Sequence, residues 1–208
     1  MGILAQEVGN HMITLVFKNH YFLLRHGESM PNIRKVILSH LEEGKKDEHT
    51  LTKNGEDQVW RSVQEAKAQG LLKEDTIIFS SPFSRCRKTA EIAKEVSGVS
   101  AEIIFDDRLR ERWFGDWEGT SNVHYQDVWD KDVFNPDHKD ANVESTTEVV
   151  ARVASLIHDL EELYAGKNIL LVSHGDALQI LQTFFENKPS ATHRALPQVK
   201  VAEVRRVN

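Results

Sequence analysis

The stretch Tyr21-Phe22-Leu23-Leu24-Arg25-His26-Gly27-Glu28 sets a permanent cation beside an imidazole where an apolar run turns polar. A short apolar run that breaks at glycine reads as a buried strand followed by a tight turn. That places Arg25 and His26 at the carboxyl end of a strand. In open α/β sheets this end faces the crevice where ligands bind. Arginine presents a planar fork of donors that suits phosphate, and histidine serves as nucleophile or proton carrier near neutral pH. Alone, the triplet is equally compatible with a histidine capping a strand and an arginine paired to a surface acid.

Two further stretches repeat the logic. Asn168-Ile169-Leu170-Leu171-Val172 is the clearest strand in the chain and ends in Ser173-His174-Gly175. Residues 76–79 form a shorter strand that ends in Ser80-Ser81-Pro82, with Arg85 on the first turn of the following helix. Parallel neighbours would bring Arg25, His26, Arg85 and His174 to one edge of the sheet. Two arginines and two histidines in one crevice repel one another unless an anion lies between them, so the expectation is a phosphate site.

The elements that must position these residues follow from the pattern. Residues 12–17 read as a strand that Lys18-Asn19-His20 turns back into residues 21–24 as a hairpin. A short irregular helix is expected within 33–43. A helix follows Thr52 or Asn54 as N-cap and runs to Gly70, with Val59, Val63 and Ala66 on one face. Another starts near Pro82 and runs to about residue 96. Residues 101–105 form a short strand, and 122–132 are helical. Ser145 caps a long helix over 146–164, whose apolar face includes Val149, Val153, Ile157, Leu160 and Leu163. Residues 176–185 are the last helix. Residues 199–207 alternate like an edge strand, which pairs with the sheet or makes a dimer contact. Alternating strands and helices predict an α/β fold with a mostly parallel sheet. One domain is expected over 1–208, with 1–11 a loose lead-in.

Composition narrows the function. The chain has 208 residues, 40% of them hydrophobic and 28% charged, as expected of a soluble globular protein. A net charge of −6 argues against a general nucleic-acid binder. Cys86 is the only cysteine, so no intramolecular disulfide forms and a reducing compartment fits. No apolar run approaches the roughly 20 residues that span a bilayer. The first twelve residues lack a secretory pattern, so a cytoplasmic protein without membrane partners is expected.

Taken in order, the motifs resemble the histidine phosphatase superfamily, also called the phosphoglycerate mutase-like family. They are Arg25-His26-Gly27-Glu28 with Asn32, then Leu51-Thr52 with Gly55 and Gln58. Ser80-Ser81-Pro82 follows, with Arg85, Thr89 and Ala90. Next come Leu109 with Glu111 and Phe114-Gly115-Asp116-Trp117-Glu118-Gly119, and last Val172-Ser173-His174-Gly175. The resemblance implies a three-layer α/β/α domain with a mixed, mostly parallel sheet. It implies that His26 takes the phosphoryl group onto a ring nitrogen, the other nitrogen donating to a backbone carbonyl. Arg25, Arg85 and His174 would hold the phosphate oxygens, with Asn32 as a further donor and Gly175 beside them. Glu111 would be the general acid and then the base that activates water. No metal or other cofactor is implied, and the 10 histidines show no metal-site spacing.

Within that family, the short chain and Ser173-His174-Gly175-Asp176, in place of Ala-His-Gly-Asn, point to the phosphatase branch. The expected partners are a small phosphorylated substrate and inorganic phosphate as product, in a monomer or homodimer. A cofactor-dependent phosphoglycerate mutase, a protein phosphatase and a non-catalytic phospho-ligand sensor are the alternatives. Trp113, Phe114 and Trp117 are expected to shape the acid loop, desolvate Glu111 and raise its pKa. Residues 132–145 are expected to cover the site and set substrate choice. Glu28 either reaches the rim or caps the turn. Cys86 is read as a buried structural thiol.

Overall fold

A computed structural model describes the backbone of residues 4–8 and 12–208, and side chains from residue 15 onward. The chain opens with an antiparallel ribbon of β1 (Leu4–Val8) and β2 (Met12–Val16), Leu4 facing Val16. There follow β3 (His20–Arg25), α1 (Met30–Arg34), α2 (Leu41–Gly44), α3 (Lys53–Ala68), β4 (Ile77–Ser80) and α4 (Ser84–Ser97). After these come β5 (Ile104–Phe105), α5 (Tyr125–Asp132), α6 (Thr146–Leu163), β6 (Asn168–Ser173), α7 (Gly175–Phe185) and β7 (Val204–Arg206). The main sheet has the order β5-β4-β6-β3-β7, with β7 alone antiparallel to its neighbour β3.

Strand periodicity separates two cores. Phe22, Leu24, Leu170 and Val172 point to one face, where they meet Val59, Val63 and Ala66 of α3 and Ala90 and Ala93 of α4. Tyr21, Leu23, Ile169 and Leu171 point to the other, against Val153, Leu156, Ile157 and Leu160 of α6 and Leu178 and Leu181 of α7. The result is the expected α/β/α layering with a mixed, mostly parallel sheet. The helix starts are capped as the sequence suggests. The Thr52 hydroxyl accepts from the Gly55 N–H at 2.9 Å, and Ser145 and Glu148 form a reciprocal capping box.

Several expectations fail for physical reasons. β2 and β3 do not form a hairpin: β3 is flanked by β6 and β7, and β2 pairs with β1. The Lys18-Asn19 bend is instead pinned to the end of α6. Glu161, fully buried there, accepts from the Lys18 N–H at 2.6 Å, the Asn19 amide at 2.9 Å and the Tyr21 hydroxyl at 2.9 Å. Leu4–Val8, read as part of a loose lead-in, is a strand; residues 1–3 and 9–11 lie outside the described residues. Pro82 precedes the N-cap Phe83 rather than opening α4. Leu163, assigned to the apolar face of α6, is 70% exposed at its last turn. Only residues 204–206 of the C-terminal stretch form the edge strand. No helix of the described residues is long and apolar enough to cross a membrane.

Candidate active site

The parallel register brings the chemistry together. Arg25 pairs with Ser173 and Ser80 with Val172, so β3, β4 and β6 end side by side. At this edge a cavity of about 220 Å³ is lined by Arg25, His26, Asn32, Arg85, Glu111 and Gly175. Tyr125, Trp129 and Arg194 form another part of its wall.

His26 is almost wholly buried, at 3% exposure. Its Nδ1 lies 2.8 Å from the Gly27 carbonyl oxygen, which only accepts, so Nδ1 carries the hydrogen. Arg85 Nε donates to His26 Nε2 at 3.2 Å, which requires a lone pair there. Two independent contacts thus agree on one tautomer, with Nε2 bare. Burial first, then the charges of Arg85 and Arg25, hold the imidazole well below its usual pKa range. The ring is therefore neutral at physiological pH.

The flanking guanidiniums have donors to spare. Arg85 Nη2 donates to the Leu38 carbonyl at 3.0 Å, and Arg25 Nη1 to the Val199 carbonyl at 3.2 Å. Arg85 Nη1 and Arg25 Nε are buried and have no acceptor among the described residues. Unpaired buried N–H groups of a cation are costly and mark a site that an anion would complete. Gly175 gives the Arg25 guanidinium its room, since a Cβ there would lie 3.0 Å from Arg25 Cζ. The Asn32 side-chain oxygen accepts from the Ser29 N–H and hydroxyl, which leaves its amide hydrogens for the cavity.

His174 is brought beside His26 but not onto the cavity wall. It is fully buried behind His26, with ring centroids 5.3 Å apart, and is not among the cavity's lining residues. Its Nε2 shares a hydrogen bond with the Ser81 hydroxyl at 2.8 Å and lies 3.4 Å from Cys86 Sγ. Burial and the neighbouring Arg85 hold it neutral as well. Cys86 is buried, its thiol pushed up to about 12 by that burial, in keeping with a structural role.

Glu111 is 7% exposed, and its Oε1 accepts from the backbone N–H groups of Arg112 at 2.9 Å and Ala177 at 3.2 Å. Burial raises its pKa, Asp176 adds to the rise, and Arg85 with the two backbone donors opposes it. Beneath it lies a charge cluster that the sequence did not disclose. Arg112, with no exposed surface, makes a two-pronged contact with Asp132 at 2.7 and 2.8 Å and reaches Asp176 at 3.2 Å. Its Nε donates to the Glu144 carbonyl at 2.7 Å. Asp176 Oδ1 also accepts from the Trp129 indole at 2.9 Å.

The acid loop is locked by its neighbours. Ser173 Oγ donates to the Leu109 carbonyl at 2.7 Å, and the Phe114 N–H donates to Ser39 Oγ at 3.0 Å. Gly115 has φ +57°, and a side chain there would overlap the Ala141 carbonyl. Gly115→Ala is expected to destabilise the fold by about 1–3 kcal/mol through backbone strain alone, and more through the overlap. Thermal unfolding measures the first effect. A matching fall in kcat would report displacement of Glu111.

None of residues 132–145 lines this cavity. Lys139, Asn142, Val143 and Glu144 line a separate groove of about 660 Å³ with Arg110 and Trp113. The segment is held there because His138 bonds Asp132 at 2.8 Å and Glu144 is claimed by Arg110 and Arg152. Glu28 accepts from the Thr52 hydroxyl at 2.7 Å and is absent from the cavity wall, which favours the turn-capping reading. Tyr125, Trp129 and Arg194 were missed as site residues. The only local signal was the i, i+4 spacing of Tyr125 and Trp129, whose rings stack at 5.4 Å. Among the described residues no group of three or more His, Cys, Asp or Glu is arranged to hold a metal ion.

Comparison with known proteins agrees with this geometry. The family model for the histidine phosphatase superfamily (branch 1) matches residues 21–208. A probable phosphoglycerate mutase of Klebsiella pneumoniae is 34% identical over 180 residues, covering 84% of this chain and 78% of its own length. A probable phosphoglycerate mutase of Escherichia coli is 34% identical over 181 residues. Covering 84% of this chain, that match takes in 78% of the relative. Among solved structures, one described as mycobacterial hydrolase 1 aligns with a TM-score of 0.72 at 23% identity, over 89% of this chain and 86% of its own. A mycobacterial glucosyl-3-phosphoglycerate phosphatase in complex with VO3 gives a TM-score of 0.70 at 23% identity, over 89% and 90% of the two chains. At such identities these structures speak for the fold alone.

Proposed function

The chain belongs to the histidine phosphatase superfamily, and from that premise we propose that it is a metal-independent phosphatase of small phosphomonoesters, acting through a phosphohistidine on His26. The observation that carries this reading is the bare Nε2 of a neutral His26 between two guanidiniums with unpartnered buried donors.

In this reading a phosphoryl oxygen takes up the free N–H groups of Arg25 and Arg85. Arg85 Nε turns from the ring to the phosphoryl group, which releases the Nε2 lone pair. Nε2 attacks phosphorus in line while the ester P–O bond breaks, and the arginines hold the equatorial charge. Because Glu111 Oε1 already accepts two N–H groups, the transferable proton sits on Oε2 and passes to the leaving oxygen. Water then attacks the phosphoryl group, loses a proton to the Glu111 carboxylate, and the P–N bond breaks to give phosphate and neutral His26. His174 would bind a phosphoryl oxygen only after its ring gives up Ser81. Asp176 supports the acid role, since its charge adds to the rise in the Glu111 pKa that burial causes.

The sign of the pH dependence follows. Phosphorylation needs Glu111 protonated, so kcat/KM for an alkyl phosphate is expected to fall as pH rises through its elevated pKa. Glu111→Gln should cost roughly 10²–10⁴-fold and remove that alkaline limb. The loss should be smaller on p-nitrophenyl phosphate, whose leaving group needs no proton. An equal loss on both esters with the limb intact would contradict the assignment.

The names of the curated relatives favour one second reading, phosphoglycerate mutase. Interconversion of 2- and 3-phosphoglycerate in the presence of bisphosphoglycerate would establish it. The phosphatase reading expects p-nitrophenyl phosphate hydrolysis that persists in excess chelator, and loss of activity to chelator with recovery on metal addition would overturn metal independence.

A further inference from the structure

The cavity holds a third arginine that phosphoryl transfer does not use. Arg194 lies in the segment after α7, with its Cζ 3.7 Å from the Trp129 ring centroid. It lines the cavity together with Arg25 and Arg85. Most of the chain's arginines near carboxylates are spent on them: Arg108, Arg110, Arg112, Arg152 and Arg205 all form ion pairs. Arg194 has no carboxylate within ion-pair reach among the described residues; it lies on the indole face. Of the two acids on the cavity wall, Asp176 is already taken by Arg112 and the Trp129 N–H, and Glu111 by the Arg112 and Ala177 N–H groups.

Trp129 is itself fixed from both sides, by its indole hydrogen bond to Asp176 and by stacking on Tyr125 at an interplanar angle of 10°. A guanidinium laid on such a ring has its plane set while its edge N–H groups stay available, the arrangement suited to a planar or tetrahedral anion. We propose that Arg194 is a specificity-determining residue that binds a second anionic group of the substrate, a carboxylate or a second phosphate, while Arg25 and Arg85 hold the phosphoryl group that is transferred. This rests on the phosphatase reading and narrows its substrate class to small esters carrying a second anion.

Matched pairs of esters test it. 3-Phosphoglycerate and glycerol 3-phosphate differ at one end, carboxylate against alcohol. Fructose 1,6-bisphosphate and fructose 6-phosphate differ by a second phosphate. In Arg194→Gln, the ratio of kcat/KM within the pair that carries the recognised anion is expected to fall roughly tenfold, mostly through KM, as for loss of a charge-assisted contact. Arg194→Lys should recover part of that ratio, since it keeps the charge but not the fork. Movement of the first pair alone assigns a carboxylate, and of the second alone a phosphate. Equal losses for both members of each pair, or none, would make Arg194 a packing residue and overturn the proposal. If the wild type hydrolyses none of these esters, the phosphatase reading falls separately. Calorimetric binding of 3-phosphoglycerate and fructose 1,6-bisphosphate to His26→Ala, with and without Arg194→Gln, then decides this point, and unchanged affinity for both overturns it.

Discussion

His26→Ala is expected to lower turnover of every phosphate ester by roughly 10³–10⁶-fold, the range seen when a covalent nucleophile is removed. The fold should survive, because alanine is tolerated at the strand end and the Arg85 guanidinium keeps its bond to the Leu38 carbonyl. Inorganic phosphate should still bind, since the unpartnered donors of Arg25 and Arg85 remain. Loss of turnover together with retained phosphate binding by calorimetry separates a missing nucleophile from a collapsed site. Substantial remaining activity would mean that water attacks the ester directly and that His26 is not the phosphoryl acceptor.

Arg112→Met is expected to be the most damaging substitution for stability. It removes the cation between Asp132 and Asp176, both essentially buried, and leaves two carboxylates with His138 and His193 as their remaining basic neighbours. Breaking a buried ion pair from one side costs about 3–5 kcal/mol, or roughly 6–20 °C in Tm for a chain of this size. The charge argument has its own control. Arg112→Met with Asp132→Asn should recover part of the loss, because it removes the stranded charge rather than restoring a contact. Burial makes the same cluster a functional support: Asp176 raises the Glu111 pKa and holds the Trp129 indole, so the single variant should also shift the alkaline limb of the rate profile. A Tm within 2 °C of wild type would contradict the cluster's role.

The legible parts of this molecule are those set by local pattern. Apolar runs broken by Arg25-His26-Gly27 and Ser173-His174-Gly175 located two strand ends, and parallel pairing made them neighbours. Thr52 and Ser145 announced helix starts because their hydroxyls compete for the first free N–H groups. What stayed hidden depends on distant partners. Arg112 sits in Arg108-Leu109-Arg110-Glu111-Arg112, where three arginines look alike. Nothing local says that one of them is wholly buried against Asp132 and Asp176. Spacing put His174 at a strand end but could not say that its ring turns toward Ser81. Arg194 and Trp129 are far apart in the chain and meet only through the packing of α5 against the segment after α7. The hairpin expected at residues 12–24 failed because Glu161, far along the sequence, holds the bend.

The most direct test of the central claim is to trap the phosphoryl group. Wild-type protein mixed with a labelled phosphate ester in excess chelator, quenched in alkali within the first turnover and digested, should yield an acid-labile phosphoryl adduct on the peptide carrying His26. The adduct should vanish in His26→Ala and persist longer in Glu111→Gln, where the base for its hydrolysis is gone. An adduct on another residue, or turnover with none at any time point, would contradict the phosphohistidine account.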